Sequence, residues 1–244
     1  MPLDAIFFFV RPKYPGNIGS IARVIKNFGF LRLILVNPRC EINDEAYRLA
    51  AHAQDILKNA KIYNSLDDAL NQEKINYVIG TTARIAGDRH PLRNAITSDK
   101  LRELSYPQDA QIAVLLGGED YGLTNEELEK SDLVVTIPTS EEYPVMNVSH
   151  AAAIIAYELS LAFRKGRKLP YRAAEYHEKE ILKKFLLELA DQVLADFPAP
   201  KKEIYKRIIV NWVGRAFLTG REVHSLIGFV KRLLYLVKTL KREE

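Results

Sequence analysis

The sequence is poor in residues that several common kinds of protein chemistry require. Only one of its 244 residues is cysteine, Cys40, so an internal disulfide and a cysteine-built zinc site are both excluded. No run of about 18 consecutive apolar residues occurs, and the N-terminus has no basic leader before its short apolar stretch. We therefore expect a soluble, cytoplasmic protein that makes no membrane contact.

Positive charge is also scarce in the first two thirds of the chain. Residues 1–164 carry 17 Lys and Arg against 21 Asp and Glu, a net charge of −4, whereas residues 165–244 carry 18 against 10, a net charge of +8. A basic segment suits a phosphate-rich partner, although a solvated helix surface has the same composition. The 48% hydrophobic content is enough to bury a full core beside such an appendage.

Strand-like and helix-like patterns alternate up to about residue 164. The first strand, helix and strand fall at residues 5–10, 18–28 and 33–36, which predicts a right-handed parallel βαβ unit. The pattern then predicts helices over residues 46–59 and from Ser65 onward, and strands over residues 77–80, 112–116 and 133–137. We expect an α/β domain at residues 1–164, with a mostly parallel sheet and helices on both faces.

The basic C-terminal third has a different pattern. Residues 166–172 resemble a linker, because Gly166 and Pro170 break the helical spacing. Helical segments are predicted at residues 173–197, 201–217 and 221–240, and a capping box at residues 219–222 opens the last of them. We therefore expect a small all-α extension at residues 165–244.

Residues 112–163 organise the rest of the chain. Two apolar strands end at Gly117 and just before Pro138, and Thr124 opens a short helix with a capping box. The carboxyl ends of parallel strands are where open α/β sheets bind ligands. The helix at residues 151–163 is apolar on nearly every face, so its own domain or a second subunit must cover it.

Several familiar chemistries do not fit these segments. Residues 15–23 could bind an anion at a helix start, but their glycine spacing is not the dinucleotide fingerprint. Ser149 and His150 diverge by about 100° on a helix, so Ser149 suits a helix cap better than a nucleophile. Glu119 and Asp120 have no further carboxylate or histidine nearby at metal-ligand spacing.

Three segments in order resemble the motifs of the SPOUT methyltransferases, which are S-adenosylmethionine enzymes with a trefoil knot. Residues 15–29 (PGNIGSIARVIKNFG) resemble motif 1, residues 115–124 (LLGGEDYGLT) motif 2, and residues 137–159 (IPTSEEYPVMNVSHAAAIIAYEL) motif 3. Residues 80–84 and 212–233 resemble the branch that methylates a ribose 2′-hydroxyl at nucleotide 32 of the tRNA anticodon loop. The resemblance covers essentially the whole chain and implies a C-terminal trefoil knot in the α/β domain.

The resemblance also implies roles for individual residues. The residues that match the catalytic positions of the family are Arg23, Asn17, Glu119 and Asn147. The residues that match the S-adenosylmethionine site are Thr81, Thr82, Ala83, Gly117, Ile137, Pro144, Val145 and Met146. Val145 is a departure, because the family often has serine there, and backbone groups or Ser149 would have to replace that hydroxyl. No metal is implied.

The expected partners follow from the same reasoning. tRNA would contact the basic extension and a loop that carries Arg84, Arg89 and Arg93. A homodimer would form through the helix at residues 151–163, where Ala152 and Ala156 would lie in the contact. Two alternatives stay open at this point: an RNA-binding module without catalysis, and an enzyme that acts on ribosomal RNA or on another tRNA position.

Overall fold

The computed structural model describes residues 4–83, 95–104, 106–107, 110–165 and 172–243. Within these residues every paired strand is parallel, and a single sheet has the order β3-β2-β1-β6-β4-β7-β5. The strands are β1 (Asp4–Val10), β2 (Arg32–Val36), β3 (Lys61–Tyr63), β4 (Tyr77–Thr81), β5 (Ile96–Thr97), β6 (Gln111–Leu116) and β7 (Leu133–Thr136). The predicted α/β class with a parallel sheet is confirmed.

The central strand β1 shows why the sheet is covered on both faces. Phe7 and Phe9 pack in one hydrophobic core, and Ile6 and Phe8 pack in a second core on the opposite face. All four side chains are completely buried. A continuous apolar run is typical of a parallel strand between two helical layers.

The helices of this part of the chain are α1 (Pro15–Asn27), α2 (Asp44–Ala50), α3 (Gln54–Lys58), α4 (Leu66–Gln72), α5 (Asn125–Glu129) and α6 (Val148–Lys165). The predicted helix at residues 46–59 is interrupted, because Ala51 adopts a left-handed φ of 48° and a 3-10 turn follows. Strand β3 was not predicted. It lies at the edge of the sheet, and its exposed Ile62 leaves no apolar pattern to detect.

Helix α1 begins three residues earlier than the sequence pattern predicts. Pro15 occupies the first turn, where its missing N–H costs nothing and its fixed φ suits a helix. The helix ends before Gly29, which has a φ of +88° that few other residues adopt. The motif 1 segment is therefore helical almost from its first residue.

Helix α6 is covered by its own domain on most of its surface. Ala152 and Ala156 are fully buried in the core, so they lie inside the chain and cannot form a contact with a second subunit. The buried carboxylate of Glu158 lies on a different side of α6, at least about 120° around the helix from the two alanines, and accepts two hydrogen bonds from Arg102 at 2.5 Å. The two alanines predicted for the dimer contact were therefore wrong positions.

The strand order contains a reversal at β4. After β4 the chain forms β5 at the edge of the sheet, returns to form β6 on one side of β4, and then forms β7 on the other side of β4. The connection between β6 and β7 therefore crosses β4, as a trefoil knot in this part of the chain requires. Rules of protein topology alone argue against such a path.

The C-terminal extension is a three-helix unit made of α7 (Tyr176–Val193), α8 (Ala199–Arg215) and α9 (Gly220–Glu243). Its core includes Leu182, Val213, Val223 and Val230. The sequence spacing predicts an apolar stripe on α9 at Val223, Leu226, Val230, Leu233, Val237 and Leu240. Val223 and Val230 are buried as the stripe predicts, but the next buried side chain is Leu234 and not Leu233. An α-helix has 3.6 residues per turn, so a strict seven-residue repeat drifts around its surface.

The extension is attached to the amino edge of the sheet through buried groups. Lys179, which is 1% exposed, forms an ion pair with Asp132, and its ammonium lies 5.1 Å from the centre of the Tyr77 ring. Asn76 donates from Nδ2 to the carbonyl oxygens of Ala173 and Ala174 at 3.2 and 3.3 Å. We call this contact the amino-edge seam.

Candidate active site

The ends of three neighbouring strands meet at the carboxyl edge of the sheet. Thr81 ends β4, Gly117 follows β6 and Ile137 follows β7, and these three strands are adjacent in the sheet. Parallel strands end at one edge, so three segments that were assigned to the cofactor from the sequence lie side by side. Thr81 is fixed there, because its hydroxyl donates to the Leu115 carbonyl oxygen at 2.8 Å.

Asn17, Glu119 and Asn147 form one hydrogen-bonded chain across this edge. Asn17 Nδ2 donates to Glu119 Oε1 at 3.0 Å, and Asn147 Nδ2 donates to Asn17 Oδ1 at 3.2 Å. Ser149 donates to Asn147 Oδ1 from its backbone N at 2.8 Å and from its hydroxyl at 2.7 Å. The structure thus brings together one residue from each motif segment, and we call this chain the motif network.

Asn147, and not Ser149, caps helix α6. The helix begins at Val148, and the Asn147 side chain accepts the N–H of the second helical residue. Ser149 is largely buried, and its hydroxyl is occupied in holding Asn147. The suggestion that the Ser149 hydroxyl replaces the missing serine at Val145 is therefore not supported by its contacts.

Glu119 occupies the start of helix α1. Its carboxylate accepts from the backbone N–H groups of Lys13 and Tyr14 at 2.9 and 3.2 Å, in addition to the bond from Asn17. A carboxylate is favoured at this end of the helix dipole. The anion that the sequence predicted at this helix start is therefore a side chain of the protein itself.

A glycine-rich loop holds Glu119 in place. Gly117 lies against residue 122 so closely that a Cβ on it would stand 2.1 Å from the Gly122 carbonyl carbon. Gly118 and Gly122 form an antiparallel bridge, in which the Gly122 N–H donates to the Gly118 carbonyl oxygen at an N to O distance of 2.9 Å. Any larger residue at position 117 would displace this loop and, with it, the carboxylate.

Arg11 anchors the same loop and was missed by the sequence reasoning. Its guanidinium donates to the Gly122 carbonyl oxygen at 2.9 Å and forms an ion pair with Glu127. Burial lowers the pKa of Arg11, with Arg39 adding to the effect, but an arginine stays charged in proteins. The available signal was its position directly after the apolar strand β1, at the predicted ligand edge.

Arg23 stands apart from the motif network. It is exposed on α1, six residues beyond Asn17, and the described residues offer it no hydrogen bond or ion pair. Six residues correspond to about 600° of helix rotation, so Arg23 and Asn17 project from different sides of α1. Its five N–H donors are available to an external group.

The remaining cofactor-assigned residues form an open surface. Thr82, Ile137 and Met146 are half-buried, whereas Ala83, Pro144 and Val145 are exposed. The Pro144 carbonyl oxygen accepts from the Thr139 hydroxyl at 3.1 Å, which closes a small loop after β7. Mostly apolar side chains and backbone groups at the strand ends fit an adenosine group better than they fit a metal ion.

A metal site finds no support in the described residues, where no group of three His, Cys, Asp or Glu side chains could hold an ion. Asp120 is instead paired with Lys13 at 3.1 Å, and this hydrogen bond raises the pKa of Lys13. Arg84, Arg89 and Arg93, which were assigned to RNA, lie outside the described residues.

The parallel sheet and the motif network define the class of this protein, and the sequence agrees. The chain belongs to the SpoU methylase family, because the family described as "SpoU rRNA Methylase family" matches residues 4–157. Among the helices that the structure describes, none is long and apolar enough to cross a membrane.

Its relatives identify the branch of the family. The tRNA (cytidine-2'-O-)-methyltransferase TrmJ of Methanocaldococcus jannaschii is 43% identical over 224 residues, which cover 91% of this chain and 96% of that protein. The tRNA (cytidine/uridine-2'-O-)-methyltransferase TrmJ of Klebsiella pneumoniae is 34% identical over 231 residues, with 92% of each chain covered.

Solved structures have the same fold. The crystal structure of TrmJ from Z. mobilis ZM4 matches with a TM-score of 0.72 at 26% identity, over 94% of this chain and 98% of that one. The SpoU methyltransferase AviRb from Streptomyces viridochromogenes, in complex with AdoMet, matches with a TM-score of 0.56 at 22% identity, over 68% and 63%. The second likeness supports the fold alone.

Proposed function

We propose that this protein transfers a methyl group from S-adenosylmethionine to a ribose 2′-hydroxyl of tRNA, at nucleotide 32 of the anticodon loop. The target base would be cytidine, uridine or both. One observation carries the proposal: the motif network joins all three motif segments at the carboxyl ends of the strands, which is where open α/β sheets generally bind ligands. The similarity to tRNA methyltransferases over nine tenths of the chain supports the substrate class.

The cofactor would lie against the exposed strand-end residues. Pro144, Val145 and Met146 would contact it on one side, and Thr81–Ala83, Gly117 and Ile137 on the other. S-adenosylmethionine supplies an electrophilic methyl group on a positively charged sulfur. The protein's own task is to align the ribose oxygen with that methyl group, and alignment contributes about 7 to 11 kcal/mol to such reactions.

Arg23 would act on the nucleophile. Its pKa above about 12 makes it a poor base, so we assign it to the phosphate beside the target ribose and to the negative charge that develops on the 2′-oxygen. Its lack of partners in the described structure suits this role, because no internal bond must break first.

Glu119 and the two asparagines would position the site. The three hydrogen bonds that described residues donate to the Glu119 carboxylate come from α1 or the residues before it, which fixes the motif 2 loop against the helix that carries Arg23. Asn147 then ties the start of α6 to the same point. Glu119 is therefore a positioning residue in this proposal.

Arg23→Ala tests the proposal, with Arg48→Ala as a matched control. Arg48 is an exposed arginine on the neighbouring helix α2 and has no assigned role. We expect Arg23→Ala to abolish methyl transfer while isothermal titration gives a cofactor Kd within a few-fold of the parent value. Loss of cofactor binding in Arg23→Ala, or unchanged methyl transfer, would contradict the assigned role.

The target position needs a separate experiment. Unmodified total tRNA and ribosomal RNA should be incubated with the protein and labelled cofactor, and the methylated nucleotide should be mapped. We expect label at tRNA nucleotide 32. Label only in ribosomal RNA, or at another tRNA position, would replace the proposed substrate, and S-adenosylmethionine binding without any transfer would favour a non-catalytic RNA-binding module.

A homodimer through α6 is part of the proposal, but its contact must differ from the one the sequence suggested. Ile154, Tyr157 and Leu161 lie on one side of α6 at helical spacing and are only partly covered. Leu161→Arg should give monomers by light scattering, because an unpaired charge in an interface costs several kcal/mol. A dimeric Leu161→Arg variant would exclude this face.

A further inference from the structure

The outward side of α9 is exposed to solvent in the described structure. Residues that are three or four positions apart fall on the same side of a helix. The members of this surface, which we call the α9 face, are exposed: Arg221, Ser225, Gly228, Phe229, Arg232 and Tyr235. The opposite side of α9, with Val223, Val230 and Leu234, packs into the core of the extension.

The α9 face is positively charged. Arg221 and Arg232 form no ion pair with a described residue, and the Arg232 guanidinium lies 5.3 Å from the centre of the Tyr235 ring. Lys231 lies at its margin, over the Phe185 ring at 4.8 Å. Glu222, which follows Arg221 in the sequence, accepts the Thr219 N–H at 2.7 Å in the helix cap.

Gly228 has no structural purpose inside the chain. It lies in the middle of a 24-residue helix, where glycine is less favourable than alanine. A Cβ added to Gly228 would have no neighbouring atom within 4 Å, and the Gly228 backbone is not in the left-handed region. Neither internal packing nor conformation therefore requires a glycine here.

We propose that the α9 face is a contact surface for the phosphate backbone of tRNA, in which Gly228 lets the RNA approach the helix backbone closely. Arg221 and Arg232 flank Gly228 and are about 16 Å apart along the axis, a span that covers several phosphates of one strand. This inference rests on the proposed function and names the part of the basic extension that meets the substrate.

A second copy of the protein is a poorer occupant. In a two-fold symmetric contact the same patch lies on both sides. The arginines of one α9 face would then lie opposite the same arginines of the second copy. The described residues of the face include no acid that could neutralise them. A polyanion matches the charge of this surface, and it releases counterions when it binds.

Gly228→Ala is the sharpest test, because it should make the protein more stable and yet weaken RNA binding. We expect the melting temperature to rise by about 2 to 4 °C from the gain in helix propensity. The Kd for an unmodified tRNA transcript, measured by fluorescence anisotropy, should increase about tenfold. Loss of binding in a more stable protein cannot be attributed to unfolding.

The charged residues give a second readout. Arg221→Gln and Arg232→Gln should each weaken tRNA binding several-fold and reduce the slope of log K against log salt by about one. Lys184→Gln is the matched control, because Lys184 is an exposed cation of the same extension that lies on α7 among Glu180, Glu188 and Asp191. It should leave both the Kd and the slope unchanged.

The outcomes separate this inference from the proposed function. A parent protein that binds tRNA, with unchanged binding in Gly228→Ala and both arginine variants, would overturn the α9 contact alone. A parent protein that does not bind tRNA would overturn both. A change of oligomeric state in Gly228→Ala by light scattering, with tRNA affinity intact, would show that the face is a subunit contact and that the inference is wrong.

Discussion

The two edges of the sheet are built in contrasting ways. At the carboxyl edge, the motif network joins partly exposed side chains by neutral and charge-assisted hydrogen bonds of 3.0 to 3.2 Å. At the amino edge, the amino-edge seam buries a lysine, an aspartate and an asparagine among aromatic rings. The first arrangement leaves donors and apolar groups open to a ligand, and the second leaves almost nothing open.

The buried contacts at the amino edge make the basic extension part of the fold. Asp132 immediately precedes β7, and its Oδ2 also accepts the Val78 N–H at 2.9 Å, so one carboxylate links two strands to α7. Gly214 of α8 approaches the same residue so closely that a Cβ there would lie 2.9 Å from the Asp132 Cα. The extension and the methyltransferase sheet therefore share buried structure.

The largest effect should follow from removal of the extension. The division at residue 164 that the sequence predicts implies that a chain ending there folds and binds S-adenosylmethionine. The structure revises this expectation, because the truncated chain would leave Asp132 without Lys179 and would uncover Tyr77 and Asn76. We expect aggregation or a much lower melting temperature, together with lost cofactor binding, by calorimetry and titration. A soluble truncated chain that melts like the parent would contradict the structural role of the seam.

A single substitution in the seam should have the next largest effect. Asp132→Ala leaves the Lys179 ammonium buried without its partner, and breaking a buried pair in this way costs about 3 to 5 kcal/mol. Chemical denaturation should report this loss. Asp55→Ala, which removes an exposed partner of Lys26, is the control and should change the unfolding free energy far less.

The double variant Asp132→Leu with Lys179→Met would sharpen the interpretation. Replacement of both charges by apolar groups of similar size removes the unpaired charge and is often neutral or stabilising. We expect it to recover most of the stability that Asp132→Ala loses. If it were as unstable as the single variant, packing and not the charge would explain the loss.

A smaller effect should appear at acid pH. Arg172 donates two hydrogen bonds to Glu178 at 2.9 and 2.8 Å, and these hold the pKa of Glu178 at about 2, below its ordinary value of 4.5. A lowered pKa in the folded state means that the stabilisation is complete above about 4.5 and is lost as the pH falls toward 2.

Glu178→Gln removes this contribution. Between pH 4.5 and 2 the parent should therefore lose more stability than Glu178→Gln does, as measured by melting temperature at several pH values. Glu188→Gln is the control, since Glu188 pairs with Lys238 at the surface. Parallel melting profiles for the parent and Glu178→Gln would show that the Arg172 contact does not stabilise the fold.

Features of the fold that depend on local sequence were predictable, and features that depend on the folded chain were not. Apolar runs and the capping boxes at Thr124 and Thr219 revealed the main strands and helix starts, because these signals are local. The two capping boxes are confirmed by the structure. The break at Ala51 was missed, because a positive φ at a single residue does not change the spacing of apolar residues. The short edge strand β3 was missed, because its three residues do not alternate between apolar and polar.

The site was predictable in part. Family motifs identified Asn17, Glu119 and Asn147, but their spacing could not show that Glu119 occupies the start of α1 or that Arg11 anchors its loop. The amino-edge seam left no sequence signal, because Lys179 and Asp132 are 47 residues apart and each is ordinary in its own segment. Long-range polar pairs of this kind become visible only in the folded chain.

The central claim is that catalysis belongs to the carboxyl edge, where the motif network can be broken at little cost in stability. Single-turnover methyl transfer from S-adenosylmethionine to an unmodified tRNA transcript should be measured for Asn147→Ala, with the exposed Asn59→Ala as control. Loss of the cap costs about 1 kcal/mol, so Asn147→Ala should stay folded at 25 °C. We expect its rate to fall about 100-fold or more while the control keeps the parent rate. A folded Asn147→Ala variant that methylates tRNA at the parent rate would contradict the account.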